Sequence, residues 1–399
     1  MAVNEAATSS ERMHILSLTF ALLTYTGYWR PVHWPVNSIK YWMYNFYSAF
    51  MFTWLQLFAL YGLADIFLST NMQEFVDRCF LYPSILGVFI KIVYIFMHRQ
   101  QIMDLDKMLL KEDCIPRDAD EESIQQKFDR NARQITIACE LLNVSSAFVL
   151  TFGQFFLLLK RRTLPVYHWA PFDLSSTVVF VLVLLFQSVG LCLCANSSVA
   201  HETLISGLMI QICAQFKILC HRAHILPILL MQAEKDGGSE QDLRAREKLI
   251  MRDLIRYHLY VYKIAYTVND VFALIMFVQF SIISFVLCLS VYKMSNMTSL
   301  FTPEFAHLFS YLASMLTQIF LYCWYGNEVT LKSAEVCNAI YEMNWTTLRV
   351  QVMKDLTIIM MCASKPFTMS SGHVVTLTLD SFMSILKISY STYNFLKDS

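Results

Sequence analysis

Hydrophobic residues in this chain are concentrated in long runs, which polar connections separate. A helix needs about 20 mostly apolar residues to cross a bilayer, and seven stretches have that character. They are residues 42–66, 79–98, 134–159, 174–200, 265–292, 304–326 and 373–396. The pattern therefore predicts an all-α, polytopic membrane protein with seven transmembrane helices.

Two long polar connections, residues 99–133 and 201–264, lie between these stretches. Lysine and arginine accumulate on the cytoplasmic side of membrane proteins. With the N-terminus inside, 23 of the 31 basic residues are cytoplasmic and six are outside. We therefore predict a cytoplasmic N-terminus and an extracellular C-terminus. No cleaved signal peptide is expected, because the first apolar run is short and follows a polar leader.

The composition supports a membrane location, and the charge and motifs argue against nucleic-acid binding and enzyme activity. Of the 399 residues 56% are hydrophobic and 16% charged, with a mean hydropathy of +0.44, whereas about a quarter of a soluble protein is charged. A net charge of zero argues against nucleic acid as a partner. Enzyme motifs of the phosphate-loop, zinc-protease and serine-elbow kinds are not found. His221 and His224 alone make a weak metal pair. We predict a protein that is not an enzyme and uses no cofactor or metal.

The last apolar stretch carries a regular polar stripe. Steps of four and three residues along a helix from Asp380 meet only polar side chains. They are Asp380, Ser384, Lys387, Ser391 and Asn394. Polar groups in hydrocarbon are costly unless they face protein or water. Two interpretations stay open: the stripe packs against neighbouring helices, or it lines a water-filled path.

Residues 327–372 are predicted to be amphipathic rather than membrane-spanning. Apolar residues recur there at helical spacing, and the candidates for an assembly face are Val336, Ile340, Met343 and Trp345. Such a face favours either contact with another subunit or packing within the chain. Pro366 then interrupts the helix, so we expect a split last helix.

The outer halves of several stretches are rich in apolar and aromatic side chains, which suit a small hydrophobic ligand. Candidates are Leu86, Phe89, Thr151, Phe152 and Phe155. Ordinary helix packing explains any single one of them as well. In the predicted outer loop after residue 292, Asn296 begins the sequon Asn-Met-Thr, a potential glycosylation site.

Four segments carry a resemblance to a known family. They are GYWRP at 27–31, LPVYHWAPFD at 164–173, YCWYGNEV at 322–329 and SKPFTMSSGHVVTLTLDSFMSILKISYSTYNFL at 364–396. With these segments and the predicted topology, the chain resembles the insect odorant receptor family over nearly its whole length. One departure is Arg30, where the family usually has proline directly after tryptophan.

The resemblance implies an odour-gated, non-selective cation channel in the plasma membrane of olfactory sensory neuron dendrites. Four subunits would surround one pore, with a variable tuning subunit joined to the co-receptor Orco. This chain lacks the long insertion between spans four and five that marks the co-receptor, so it looks like a tuning subunit. A gustatory-type homotetrameric channel and, with weaker support, a membrane transporter are the alternatives.

The resemblance also implies roles for particular segments. A small volatile hydrophobic ligand would bind among spans two, three, four and six, which adds Val183, Tyr311 and Met315 to the pocket candidates. The narrowest pore ring would fall at Tyr393, Asn394 or Phe395. The expected organisation is a cytoplasmic segment (1–41), six spans with the pocket (42–326), a cytoplasmic anchor helix (327–372) and a pore-lining helix in contact with lipid (373–399).

Overall fold

The computed structural model describes residues 16–31, 34–35, 38–69, 71–151, 158–160, 162–167, 169, 171–235, 239–295 and 303–398. Its helices are α1 (Ser17–Tyr25), α2 (Ile39–Phe67), α3 (Met72–Cys79), α4 (Tyr82–Met97), α5 (Arg99–Leu109), α6 (Ala119–Thr151), α7 (Thr177–Lys235), α8 (Glu240–Ser295), α9 (Pro303–Tyr341), α10 (Val350–Ala363) and α11 (Leu379–Asp398). Two strands, β1 (Ser370–Ser371) and β2 (Val375–Thr376), form a short antiparallel hairpin. The predicted all-α fold is confirmed.

Several helices have the length and apolar character needed to cross a membrane. Among the described residues these are α2, α6, α7, α8 and α9, together with α4 and α5 if that bent pair, with an angle of 68°, counts as one span. Helix α11 has 20 residues, enough for about 30 Å. Because of its polar stripe, α11 is long enough to cross a membrane but is not among the helices that are also sufficiently apolar.

Helices α7 and α8 are much longer than a membrane requires, with 59 and 56 residues. The segment read as the polar connection 201–264 largely continues these two helices, and residues 201–216 are all buried. Polar side chains pair with one another there: Gln125 Nε2 donates to Gln211 Oε1 over 2.7 Å, and Gln211 Nε2 donates to Asp129 Oδ1 over 2.8 Å. Hydropathy alone misses this packing, because buried polar groups are stable when they are hydrogen-bonded.

At one end of the bundle, which we name the short-loop end, lie the connections around residues 68–81 and 162–176. The carboxylate of Asp65, near the end of α2, contacts both connections. It accepts the backbone N–H of Trp169 over 2.8 Å and lies 3.5 Å from Arg78 Nη1. Through these contacts Asp65 joins the end of α2 to α3 and to the connection that precedes α7.

At the opposite end, which we name the long-helix end, a buried guanidinium joins three elements. Arg222 of α7 forms a bidentate ion pair with Glu121 of α6, at 2.7 and 2.8 Å. It also donates to the carbonyls of Asp113 and Ile115 and lies 4.0 Å from the ring centre of Tyr257 on α8. The arrangement satisfies a charge that would be expensive to bury alone.

The segment predicted as one helix over 327–372 is divided in the structure. Helix α9 continues from its apolar part to Tyr341, α10 follows, and the hairpin precedes α11. The hairpin is attached to α8, because Ser370 N donates to Asn269 Oδ1 over 2.8 Å and Gly372 N donates to the carbonyl of Ala273 over 2.7 Å. The last helix is therefore split as expected, but its final part starts at Leu379 rather than near 373.

Candidate functional site

A cavity lies between α4, α6, α7, α8 and α9, toward the short-loop end of the bundle. The volume open to the centres of water molecules is about 80 Å³. A single water needs roughly 10–15 Å³ of such volume, so the cavity is large enough for a small molecule. Apolar side chains form part of the wall, including Leu81, Ile85, Val88, Ile282 and Met315.

The remainder of the wall is polar. Buried polar residues in it include Asn143, Ser146, Ser198, Gln279, Ser314 and Gln318. Two hydrogen bonds tie helices together across the wall. Ser84 Oγ and Tyr311 Oη are 2.6 Å apart and join α4 to α9, while Gln279 Nε2 donates to Gln318 Oε1 over 3.0 Å and joins α8 to α9.

One side of the cavity contains a buried charge. Lys91 of α4 is 2% exposed, and its Nζ lies 2.9 Å from Glu202 Oε1 of α7. Lys91 Nζ also donates to Ser198 Oγ over 3.1 Å, and that hydroxyl donates to Glu202. Both charges lie among apolar helices, so each is stable only in the presence of the other. The pair adds no net charge to this side of the bundle, although only Lys91 lines the cavity.

The structure brings some of the predicted pocket residues to this cavity and not others. Tyr311 and Met315 line it. Of the rest, Leu86 is 38% exposed, and Phe89 is half-buried with its ring 6.0 Å from that of Phe52. Thr151 and Val183 are buried but are not among the residues that line the cavity. Phe152 and Phe155 lie outside the described residues.

The residues missed in the sequence are mainly polar ones within apolar helices. Lys91, Gln279 and Gln318 each interrupt an apolar run, and an ionisable or amide side chain inside a span is itself a functional signal. The apolar criterion favoured Leu86 instead, although the helical phase of α4 turns that residue away from the cavity.

The polar stripe of α11 is exposed along its described length in the isolated chain. Asp380, Ser384, Lys387, Ser391 and Asn394 are all exposed, whereas the side chain of Phe395 lies outside the described part. The opposite face contacts the bundle: Ser389 is buried, and the ring of Phe382 lies 5.6 Å from that of Phe320 on α9. The chain itself therefore does not cover the stripe.

Three of the four predicted assembly residues lie inside the chain. Val336, Ile340 and Met343 are buried in its core, and Trp345 is half-buried with its Nε1 donating to the carbonyl of Tyr341. Within the single chain, the three buried side chains pack in its hydrophobic core. This burial agrees with the interpretation that the apolar face packs within the chain.

Near the long-helix end, Asp118, Asp120 and His221 bring three potential metal ligands together. Asp118 is already engaged, since it accepts the backbone N–H of Glu121 over 2.7 Å at the start of α6, and His221 Nε2 lies 3.1 Å from it. The hydrogen bond from Glu121 lowers the pKa of Asp118, with a smaller contribution from His221. These contacts account for the group as a helix cap.

The chain is similar to known proteins, in two cases over more than nine-tenths of its length. The family described as 7tm Odorant receptor matches residues 71–390. Odorant receptor 46a, isoform A, of Drosophila melanogaster is 24% identical over 92% of both chains, and odorant receptor 94a of the same fly is 21% identical over 96% of both. Odorant receptor 10 of Aedes albopictus is 28% identical over 42% of this chain, a match that spans 44% of that relative.

The fold has a counterpart among solved structures. The insect olfactory receptor OR5 from Machilis hrabei aligns with a TM-score of 0.82 at 15% identity, covering 95% of this chain and 96% of that one. Its complex with eugenol aligns with a TM-score of 0.81 at 16% identity, covering 96% and 97%. Since the family match covers most of the sequence, this multi-pass membrane protein belongs to the insect odorant receptor family.

Proposed function

We propose that this protein is the odorant-binding tuning subunit of a heteromeric, ligand-gated, non-selective cation channel. Its site of action is the plasma membrane of olfactory sensory neuron dendrites, and its partner is the co-receptor Orco in a tetramer. One observation carries the proposal. The same chain has a cavity between its helices and a membrane-length helix whose polar stripe the chain leaves exposed.

Ligand binding and opening are coupled through α9 in this proposal. A ligand shifts a closed-to-open balance only by binding one state more tightly. Gln318 lines the cavity, and two residues further along the same helix Phe320 contacts Phe382 of α11. A small movement of α9 around a bound ligand is therefore passed to the helix that carries the polar stripe.

The N-terminus is inside and the C-terminus outside in this proposal, as the distribution of lysine and arginine favours. The short-loop end, with the cavity, then faces the outside, from which odours arrive. The long-helix end lies in the cytoplasm. Asn296, which is outside the described residues, becomes an extracellular glycosylation candidate.

Subunits meet at the long-helix end in this proposal, through apolar side chains that the chain leaves exposed. They are Tyr341, Val350, Ile358 and Met361. Apolar surface outside a membrane favours contact with a partner. Contact through α10 and the end of α9 brings the α11 helices toward a common axis, where their stripes enclose a path for ions.

The test is to express this chain with Orco, and each chain alone, and to record currents during exposure to a panel of odours. We expect odour-evoked cation currents from the pair and none evoked by the same odours in either chain alone. Odour-evoked current from this chain alone would favour a homotetrameric channel of the gustatory type. Saturable substrate flux without single-channel steps would contradict the channel and favour a transporter.

A further inference from the structure

We propose that the cavity recognises a neutral small molecule bearing a hydrogen-bond acceptor oxygen, such as a ketone, rather than a pure hydrocarbon or an amine. The inference rests on the proposed function in taking the cavity as the odour site. It goes beyond that function by assigning Lys91 and Gln318 as the two side chains that donate hydrogen bonds to the ligand's oxygen.

The first argument is the number of hydrogen bonds that Lys91 can donate. An ammonium group has three N–H donors. Among the described residues Ser198 Oγ and Glu202 Oε1 accept two of them, at 3.1 and 2.9 Å. Lys91 lines the cavity and is 2% exposed. Its third N–H is therefore available to a molecule within the cavity.

The second argument is independent and concerns Gln318. Its Oε1 accepts the amide of Gln279 over 3.0 Å. Its Nε2 is buried and has no hydrogen-bond partner in the part of the chain that the structure describes. Leaving a buried donor unpaired is energetically costly. Gln318 and Lys91 line the same cavity, so an acceptor there satisfies donors on two facing helices, α9 and α4.

Charge then narrows the class of ligand. A carbonyl oxygen accepts two hydrogen bonds and carries no net charge, which matches two donors beside a neutral ion pair. An ammonium ligand would meet Lys91 first, because Glu202 does not line the cavity, and like charges repel strongly in a medium of low dielectric constant. A carboxylate would add an uncompensated buried charge. A hydrocarbon would leave both donors unpaired.

The experiment measures binding directly, so that it does not depend on channel activity. The purified full-length chain in detergent is titrated with heptan-2-one, heptane and heptylamine, which have the same carbon number. We expect the wild-type chain to bind the ketone at least about tenfold more tightly than the alkane, because a hydrogen bond to a charged donor contributes about 1.5–3 kcal/mol. The amine should bind most weakly.

Two variants test the residues. In Lys91→Met with Glu202→Leu both charges are replaced together, since removing one would leave the other buried and unpaired. This double variant and Gln318→Met should each lower the ketone-to-alkane ratio, the double variant to near one, while affinity for heptane is retained. The matched control is Lys217→Met with Glu335→Leu, a partly exposed Lys–Glu pair outside the cavity, which should leave the ratio unchanged.

Several outcomes overturn the inference. They are equal affinity of the wild-type chain for ketone and alkane, binding of none of the three molecules (a cavity that holds water only), or an unchanged ratio in both variants. If the double variant does not fold, an unchanged ratio in Gln318→Met alone is enough to overturn it. Ketone binding without current in the co-expressed pair contradicts the channel function and leaves this inference intact.

Discussion

Single polar residues on α11 determine what an ion would meet along the stripe. Lys387 is exposed near the middle of the helix, and Asp380 is exposed at its start. Under the proposed orientation, a lysine in the path repels cations, and the repulsion is twice as large for a divalent ion as for a monovalent one. In the proposed channel, the Asp380 carboxylate lies near the cytoplasmic end of the path and would attract cations there.

Replacing Lys387 with alanine should raise calcium permeability relative to sodium by roughly fivefold, since two unit charges 4 Å apart in a water-filled path, with the dielectric constant of bulk water, interact by about 1 kcal/mol. The measurement is the reversal potential in ion-substitution recordings from cells that express this chain with Orco. Lys354→Ala, which removes an exposed lysine from α10, is the control and should leave the ratio unchanged. An unchanged ratio in Lys387→Ala would contradict a path along the stripe.

Individual elements are joined at a close contact where the chain enters α11. A Cβ built on Gly326 of α9 would lie 2.4 Å from Leu377 Cβ and 2.9 Å from the Leu377 carbonyl oxygen. Leu377 is buried, and it stands between the hairpin and α11. The glycine therefore allows the approach of the segment leading to α11, and its role is spatial rather than conformational.

Gly326→Ala should destabilise the protein by about 1–3 kcal/mol, because added volume at a close backbone contact forces a shift. Gly87→Ala is the matched control: there the nearest atom is the free end of Ile282, at 3.2 Å, and alanine gains up to about 1 kcal/mol of helix propensity. Thermal unfolding of the purified chain measures both. Equal melting temperatures for the two variants would show that the α9 contact is not tight.

The positions of the helices can be predicted from the sequence, but the contacts between them cannot. Runs of apolar residues and the stripe at helical spacing predicted the spans and the amphipathic α11, because both signals are local. Val336 was recognised as part of an apolar helical face, yet only the packing of distant helices decides whether such a face is internal. Tyr311 and Met315 came from the family resemblance, whereas the cavity that they line depends on five helices that are far apart in sequence.

At the scale of the whole molecule, a buried ion pair joins helices at the long-helix end. Arg222 and Glu121 are 7% and 1% exposed in their side chains, and Arg222 also contacts Tyr257 of α8. Three elements thus share one buried charge. The same end contains exposed pairs such as Arg244 with Glu240, which are screened by water and contribute little.

Glu121→Gln should destabilise the whole bundle by about 3–5 kcal/mol, because it leaves Arg222 charged and buried without a counter-charge. The free energy of unfolding of the purified chain is the measurement. Glu240→Gln, which breaks the exposed pair with Arg244, is the control and should change stability little. A loss of stability no larger than that of the control would show that Arg222 reaches water or another partner.

The Lys91–Glu202 pair has a consequence for how the protein is made. The chain is synthesised from its N-terminus, and Glu202 follows Lys91 by 111 residues. Helix α4 with its lysine therefore reaches the membrane before Glu202 has been translated. A lysine at the centre of a helix costs about 2.5–3.5 kcal/mol on insertion, and α4 has only 16 residues. We expect α4 to remain loosely inserted until α7 is translated, so that the two helices complete their integration together.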